Sequence, residues 1–499
     1  MSASQEKKKR GEGPGKREAA ATEAEKKSRA FRRNAIIAVV VVVIVVAAAI
    51  VINSNLFYHN LTAVTVGSTN YSAAEVDVFY RSTFQSIYQS YGDFASQILD
   101  TNTPLDQQQY SEDQTWADYI YAQTLDNMKQ ITALCDDAAA NGYTLSDEQR
   151  AEIDGQLANI GYYASTYGVT VDRYLASVYG TGVTQEIYTS VVTKMFIAQN
   201  YAEEKTASYT FEQAEKDSYY AENADALDYY SYVYYLVSTG SEAFADTENE
   251  NDKAAAAHAA AEEIVKATDA EAFAEKVAAF SADAAPTEQY MQGSSLPADY
   301  AEWLKDSARS AGDTKVFDVE DSGSYAVLFL GRDGNDYYLK SMRHILIETK
   351  ADDNSEYTEE AQEAAKARIE EIQAEWQENP TEEHFAELAD LYSEDSGNEN
   401  GDGTQNGGLY ENITRKQMVT SINDFLFNES HMPGDTAVLF GESGMYQGWH
   451  LVYYVGDGPL YRDTLAENAL RSLRYDEYLE ALTANYAVTE GSGARYVTK

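Results

Sequence analysis

The sequence predicts an α+β protein: a mostly helical N-terminal region, then two tandem copies of a strand–helix unit. Three observations carry this. Apolar residues recur at three- and four-residue spacing from about residue 72 to 209, which is helical periodicity. A set of five short motifs then occurs twice in the same order. Finally, two apolar strands, each bearing one of only six histidines, open and close the second copy.

Composition narrows the function classes. The 499 residues, 44% hydrophobic, suffice for several cores. Residues 1–34 hold eleven Lys/Arg and five Glu, so the rest of the chain carries −51 of a net charge of −45. Such a surface repels phosphate backbones, which excludes nucleic-acid binding as a main role. Cys135 is the single cysteine, so neither an internal disulfide nor a Cys-based zinc site can form. Its helical setting beside Ile131 and Leu134 reads as a small buried hydrophobe.

Residues 35–52 are apolar and uncharged, at the lower end of what spans a hydrocarbon core of roughly 30 Å. Arg32 and Arg33 precede them, placing residues 1–34 in the cytoplasm and the bulk of the chain outside, as a single-pass protein. A cleaved signal peptide is the competing reading. The length of the basic tail and of the apolar run favours a membrane anchor, and no cysteine follows to carry lipid.

Beyond the anchor, residues 61–67 read as a short strand and turn. Ser72, with Glu75 three residues on, is a capping box for a helix through Val76, Phe79 and Tyr80. Further helical segments follow to about residue 209, and residues 53–215 form the first region.

The repeats occupy residues 226–337 and 340–459. Ser231-Tyr232-Val233-Tyr234-Tyr235-Leu236-Val237 corresponds to Ser341-Met342-Arg343-His344-Ile345-Leu346-Ile347. Ala272-Phe273-Ala274-Glu275 corresponds to His384-Phe385-Ala386-Glu387, and Phe280-Ser281 to Tyr392-Ser393. Gly312-Asp313-Thr314 matches Gly434-Asp435-Thr436, and residues 323–329 match 448–454. Tyr234 and Tyr325 thus stand where the second copy has His344 and His450. The first copy also lacks about ten residues of the loop that bears Ser393-Glu394-Asp395 and Gly407-Gly408-Leu409, so it reads as a degenerate scaffold. A last helix is expected within residues 460–499.

The second copy resembles a parvulin-type peptidyl-prolyl cis-trans isomerase. The residues that carry the resemblance are Arg343-His344-Ile345-Leu346-Ile347, Phe385-Ala386-Glu387-Leu388-Ala389, Tyr392-Ser393-Glu394-Asp395-Ser396, Gly407-Gly408-Leu409, Gln417-Met418-Val419, Pro433-Gly434-Asp435-Thr436 and Gly448-Trp449-His450-Leu451-Val452. With the anchor and the helical region, the whole chain resembles the PrsA/SurA group of exported foldases. The resemblance implies an antiparallel four-stranded sheet wrapped by helices in each repeat. It implies a dyad of His344 and His450 with Asp395 beside the amide, and a proline slot lined by Leu409, Met418 and Ile422. Ile422 stands where the family usually has Phe, a gap that Phe425 could fill. Glu348 and Asp352-Asp353 occupy the region where phosphate-reading members carry basic residues, which argues against phosphoserine-proline substrates.

The chemistry needs no cofactor and no metal, because the task is rotation about a bond. The X–Pro amide resists rotation by roughly 18–20 kcal/mol, and an isomerase must bind the twisted form better than either planar one. The expected partners are unfolded exported polypeptides containing X–Pro bonds, with the membrane engaged through the N-terminal helix. The oligomeric state is open, a homodimer included. The alternative function is a binding-only holdase chaperone without isomerase activity.

Overall fold

The computed structural model describes residues 36–45, 55–286, 288–350, 357–401, 403–443 and 446–498. Of the apolar run 35–52, residues 36–45 are helical and exposed; the rest of that run and the basic tail lie outside the described residues. Among the described residues no helix is long and apolar enough to cross a membrane. The chain divides into two compact units, one comprising the residues up to Tyr209 with Leu473–Lys499, the other Thr210–Ser472.

After a single helical turn at Leu56–Asn60, the first unit has a hairpin of β1 (Thr62–Val66) and β2 (Thr69–Ser72). It runs directly into helix α1 (Ala73–Ser90), where the Ser72 side chain accepts from the Glu75 amide and Glu75 reaches back to the Ser72 amide. Helices α2 (Trp116–Ala140), α3 (Asp147–Thr166), α4 (Val171–Val178) and α5 (Gln185–Ala207) follow, each started by a Ser or Thr cap. Their apolar stripes meet in a core around Val76, Phe79, Ile120, Met128, Leu175 and Val191, all fully or almost fully buried. Cys135 is half-buried on α2, its thiol 3.3 Å from the Lys194 carbonyl oxygen and pushed up to about 11 by burial.

The second unit begins with α6 (Gln213–Leu227). The first repeat follows as β3 (Tyr229–Ser238), α7 (Glu250–Ile264), α8 (Ala270–Phe280), β4 (Gln289–Gln292), β5 (Thr314–Val319) and β6 (Gly323–Asp333). The second repeat is β7 (Tyr338–Glu348), α9 (Glu359–Glu378), α10 (Glu382–Tyr392), β8 (Leu409–Ile413), α11 (Thr420–Leu426), β9 (Thr436–Glu442) and β10 (Gln447–Leu460). The two antiparallel sheets have the orders β4-β3-β6-β5 and β8-β7-β10-β9, so the strands occupy equivalent places.

The equivalence extends to single residues. Tyr234 faces Val327 and Leu236 faces Tyr325 in the first sheet; His344 faces Val452 and Leu346 faces His450 in the second. The Gly-Asp-Thr motifs bond alike. Gly312 donates to the Phe329 carbonyl while Phe329 donates to Asp313, and Gly434 and Asp435 make the same pair of bonds with Tyr454.

Alternation along each strand sorts residues onto two faces. In the second sheet Ile345 and Leu451 turn towards α9 and α10, packing with Ile369, Ile372 and Phe385. Met342, Val452 and Tyr454 turn to the opposite face and pack with Ile422, Phe425 and Leu426 of α11. His344 and His450 share the parity of that second group.

The chain ends with α12 (Tyr461–Thr483) and β11 (Val488–Glu490). Within the first unit Leu479 and Leu482 pack against Leu134 and Ala198, Tyr478 donates to Asp137 at 2.6 Å, and β11 pairs antiparallel with β1.

Candidate active site

The site is assembled by the turn after α10. The Ser393 hydroxyl oxygen accepts the Leu346 amide (3.2 Å) and the Asp395 amide (3.3 Å), and the Glu394 amide donates to the Leu346 carbonyl (2.9 Å). These bonds lay residues 393–395 along β7, so that Asp395 arrives beside His344. On the other side of β7, the His344 amide donates to the Gly408 carbonyl at 2.9 Å. Gly407 and Gly408 are in the left-handed region, and a Cβ on Gly408 would lie 2.3 Å from the His344 carbonyl oxygen. The Gly-Gly pair is thus required for this close approach.

Asn398 ties the same loop together. It is 2% exposed, donates to the Ala389 carbonyl at 3.0 Å and accepts the Gly408 amide at 2.5 Å. Among the described residues no group of His, Cys, Asp and Glu could hold a metal ion.

The polar centre is a chain of four bonds. Tyr446 Oη stands 3.4 Å from His450 Nε2, His450 Nδ1 stands 3.3 Å from His344 Nδ1, and His344 Nε2 stands 2.8 Å from Asp395 Oδ2. Tyr410 donates to the same carboxylate oxygen at 2.7 Å. An ionised Asp395 can only accept, so His344 donates to it from Nε2 as Tyr410 does from its hydroxyl. The two imidazoles are nearly parallel, 12° apart, with centroids 5.5 Å from each other.

Burial and bonding set the charges. Burial alone would raise the Asp395 carboxyl, but the His344 and Tyr410 hydrogen bonds, the attraction of His344 and the Gly397 amide outweigh it and hold the group well below the carboxylate range. His450 is 1% exposed. Its burial, reinforced by repulsion from His344, pushes it down to about 3, so it is neutral at physiological pH.

Next to this polar chain lies an apolar cluster. Ile422 and Phe425 are buried on α11, with Met418 and Val419 partly buried against them. Leu409 is half-buried at the start of β8, across from Arg343, and outside that cluster. Gly441 of β9 closes the gap between the two parts, since a Cβ there would be 2.8 Å from His450 Nε2 and 2.9 Å from Val419 Cγ2. Glu348 pairs with Lys350, which also reaches Glu394 at 3.3 Å; Asp352 and Asp353 lie outside the described residues. Sequence reasoning missed Tyr410, Tyr446, Asn398 and Gly441. The position of Tyr410, directly after Gly-Gly-Leu, was the one available signal.

Residues 344–456 match the family model of the rotamase domain, the PPIC-type PPIase domain. That span is a parvulin-type peptidyl-prolyl cis-trans isomerase domain. No curated protein matches the chain. Matching solved structures include one from work on PEB4 and the periplasmic protein Cj1289, described as structurally related SurA-like chaperones of Campylobacter jejuni. It is 13% identical, covers 55% of this chain and 82% of its own, and has a TM-score of 0.17. The domain assignment rests on the family match.

Proposed function

We propose that the chain is an extracytoplasmic foldase of the PrsA/SurA kind, which accelerates X–Pro isomerisation in unfolded exported polypeptides through residues 340–459. In this reading the apolar run 35–52 is a membrane anchor with residues 1–34 on the cytoplasmic side. Its charge-free composition and the arginines before it support that reading.

The observation that carries the reading is the Tyr446–His450–His344–Asp395 chain, its two histidines buried, lying beside an apolar cluster. Met418, Ile422 and Phe425 would take the proline ring out of water, with Leu409 at the rim. A twisted amide has lost its resonance, so its nitrogen regains a lone pair and its carbonyl becomes less polar. Planar amides gain least from a fixed polar array shaped for the twisted form. Neutral His450 keeps positive charge away from the apolar slot, and ionised Asp395 fixes His344 Nε2 and the Tyr410 hydroxyl as donors. His344 and His450 act by holding the polar array in place; no covalent intermediate is involved.

A proline-tetrapeptide isomerisation assay on the full chain tests the site. His450→Ala and Asp395→Ala should each lower kcat/KM at least about tenfold, the loss typical of a misaligned polar site. Unchanged rates in both variants would remove these residues from the mechanism, and a wild-type rate no faster than the spontaneous one would leave only the holdase alternative. Protease protection in intact cells and inverted vesicles tests the placement: residues after 53 should be cut from outside only.

A further inference from the structure

We infer that the degenerate first repeat positions the substrate loop of the isomerase domain, through ion pairs to Arg415 and Lys416. The inference rests on the proposed place of Met418 in the proline slot. Residues 414–419 link β8 to α11 and end at Val419, which shares with His450 the space beside Gly441. Three positions before Met418, Arg415 Nη1 meets Asp333 Oδ2 at 3.1 Å, and the Arg415 amide donates to the Tyr337 hydroxyl at 3.2 Å. Its guanidinium lies 4.3 Å from the Tyr337 ring centroid. Lys416 pairs with Glu288, reaches Ser231 Oγ at 3.3 Å and stands 4.9 Å over the Tyr290 ring. Ser231, Glu288, Tyr290 and Asp333 all belong to the first repeat.

Met418 and Val419 pack on the apolar cluster, but the start of the loop has fewer ties of its own. Its internal bonds are a Gln417–Thr414 turn, and Lys416 donates its amide to Asn423 Oδ1 at 2.7 Å. Lys416 has φ of 61°, a left-handed conformation that a residue with a Cβ keeps only where its surroundings enforce it. The ion pair and the Tyr290 face supply that enforcement from outside the isomerase domain. A cleft of about 350 Å³ runs from Glu288 and Tyr290 past Lys416 to Met418 and Thr420, so the anchor points and the slot share one wall.

A loop ordered before substrate arrives spares the cost of ordering it on binding. Its release therefore weakens binding of planar and twisted amide alike, raising KM and leaving kcat. Arg415 and Lys416 are 42% and 45% exposed, so each pair has only the modest strength of a surface contact.

The test is steady-state isomerisation with the full chain. Glu288→Lys should raise KM about two- to fivefold, the range of a half-exposed ion pair, with kcat within about twofold. Glu288→Gln should move KM in the same direction by less, and adding Lys416→Glu to Glu288→Lys should restore it. A plain packing role would not be rescued by exchanged charges. Met418→Ala serves as the control for the slot: if it leaves KM unchanged, the slot assignment fails. If it raises KM while Glu288→Lys, Glu288→Gln and Asp333→Asn do not, the positioning role is overturned. A fall in kcat equal to the fall in kcat/KM, or failure of the charge exchange to restore KM, overturns it as well.

Discussion

Tyr410 donates its hydroxyl proton to Asp395 Oδ2 at 2.7 Å, the same oxygen that receives His344 at 2.8 Å. Two donors on one oxygen are what hold this carboxyl low against the opposing effect of burial. A depressed carboxyl contributes stability that is present above its unfolded value, near 3.8, and is lost as pH falls through the folded one. Tyr410→Phe removes one donor and keeps the ring. It should cost about 1–2 kcal/mol at pH 7, as for a bond to a charged group, and move the acid-unfolding midpoint upward. Urea unfolding at pH 7 and an acid titration check this, and an unmoved acid midpoint would count against Tyr410 as a determinant of Asp395.

His450 titrates with the opposite residue type but the same consequence. Its folded value of about 3 lies below the ordinary 6.5, so between these values the unfolded chain binds a proton that the folded chain refuses. Stability contributed by the neutral ring is therefore complete above pH 6.5 and drains away as pH falls towards 3. Lowering the pH from 7.5 to 5.5 should cost about 1 kcal/mol on this account. His450→Leu, which cannot titrate, should flatten that slope while abolishing the polar chain. Denaturant unfolding of both proteins at the two pH values reads it directly; equal slopes would show that His450 is not the group responsible.

Gly441 makes a prediction about shape. The nearest heavy atoms to a Cβ at this position are His450 Nε2 and Val419 Cγ2, both under 3 Å. Gly441→Ala must push apart the imidazole and the loop that ends the apolar cluster. We expect kcat/KM to fall about tenfold, with overpacking costing about 1–3 kcal/mol in stability. Full activity in a stably folded Gly441→Ala protein would mean that the approach of Val419 to His450 is incidental.

How far the sequence reached depends on whether a feature was local. The Ser72–Glu75 spacing announced a helix start, and the structure has that capping box, because both bonds close within three residues. The shared face of His344 and His450 could be anticipated from strand alternation once the two strands were set side by side. Tyr446 and Gly441 carry no such sign; they matter through neighbours on another strand or loop. The ion pairs of Arg415 and Lys416 join residues 82 and 128 positions apart, beyond any periodicity. The return of β11 to β1 is the extreme case, pairing Val488 with Val66 across almost the whole chain.

Asp77 should give the first unit a pH response of the reverse sign. This carboxyl is fully buried on α1, where the Thr498 amide donates to it at 2.6 Å. Burial, only partly offset by the Thr498 bonds, pushes it up to about 7 from 3.8. A folded carboxyl above its unfolded value holds a proton that the unfolded chain has released. Its favourable contribution is therefore complete below about 3.8 and fades as pH rises to about 7, where the ion must be carried in the core. Asp77→Asn keeps an acceptor for the Thr498 amide and removes the titration. At pH 8 the variant should be more stable than the wild type by about 4 kcal/mol, a difference that shrinks towards pH 4. Thermal unfolding of both proteins across that range decides the matter: parallel curves would show that Asp77 keeps the same charge throughout, and that its bonds to Thr498, not its burial, govern it.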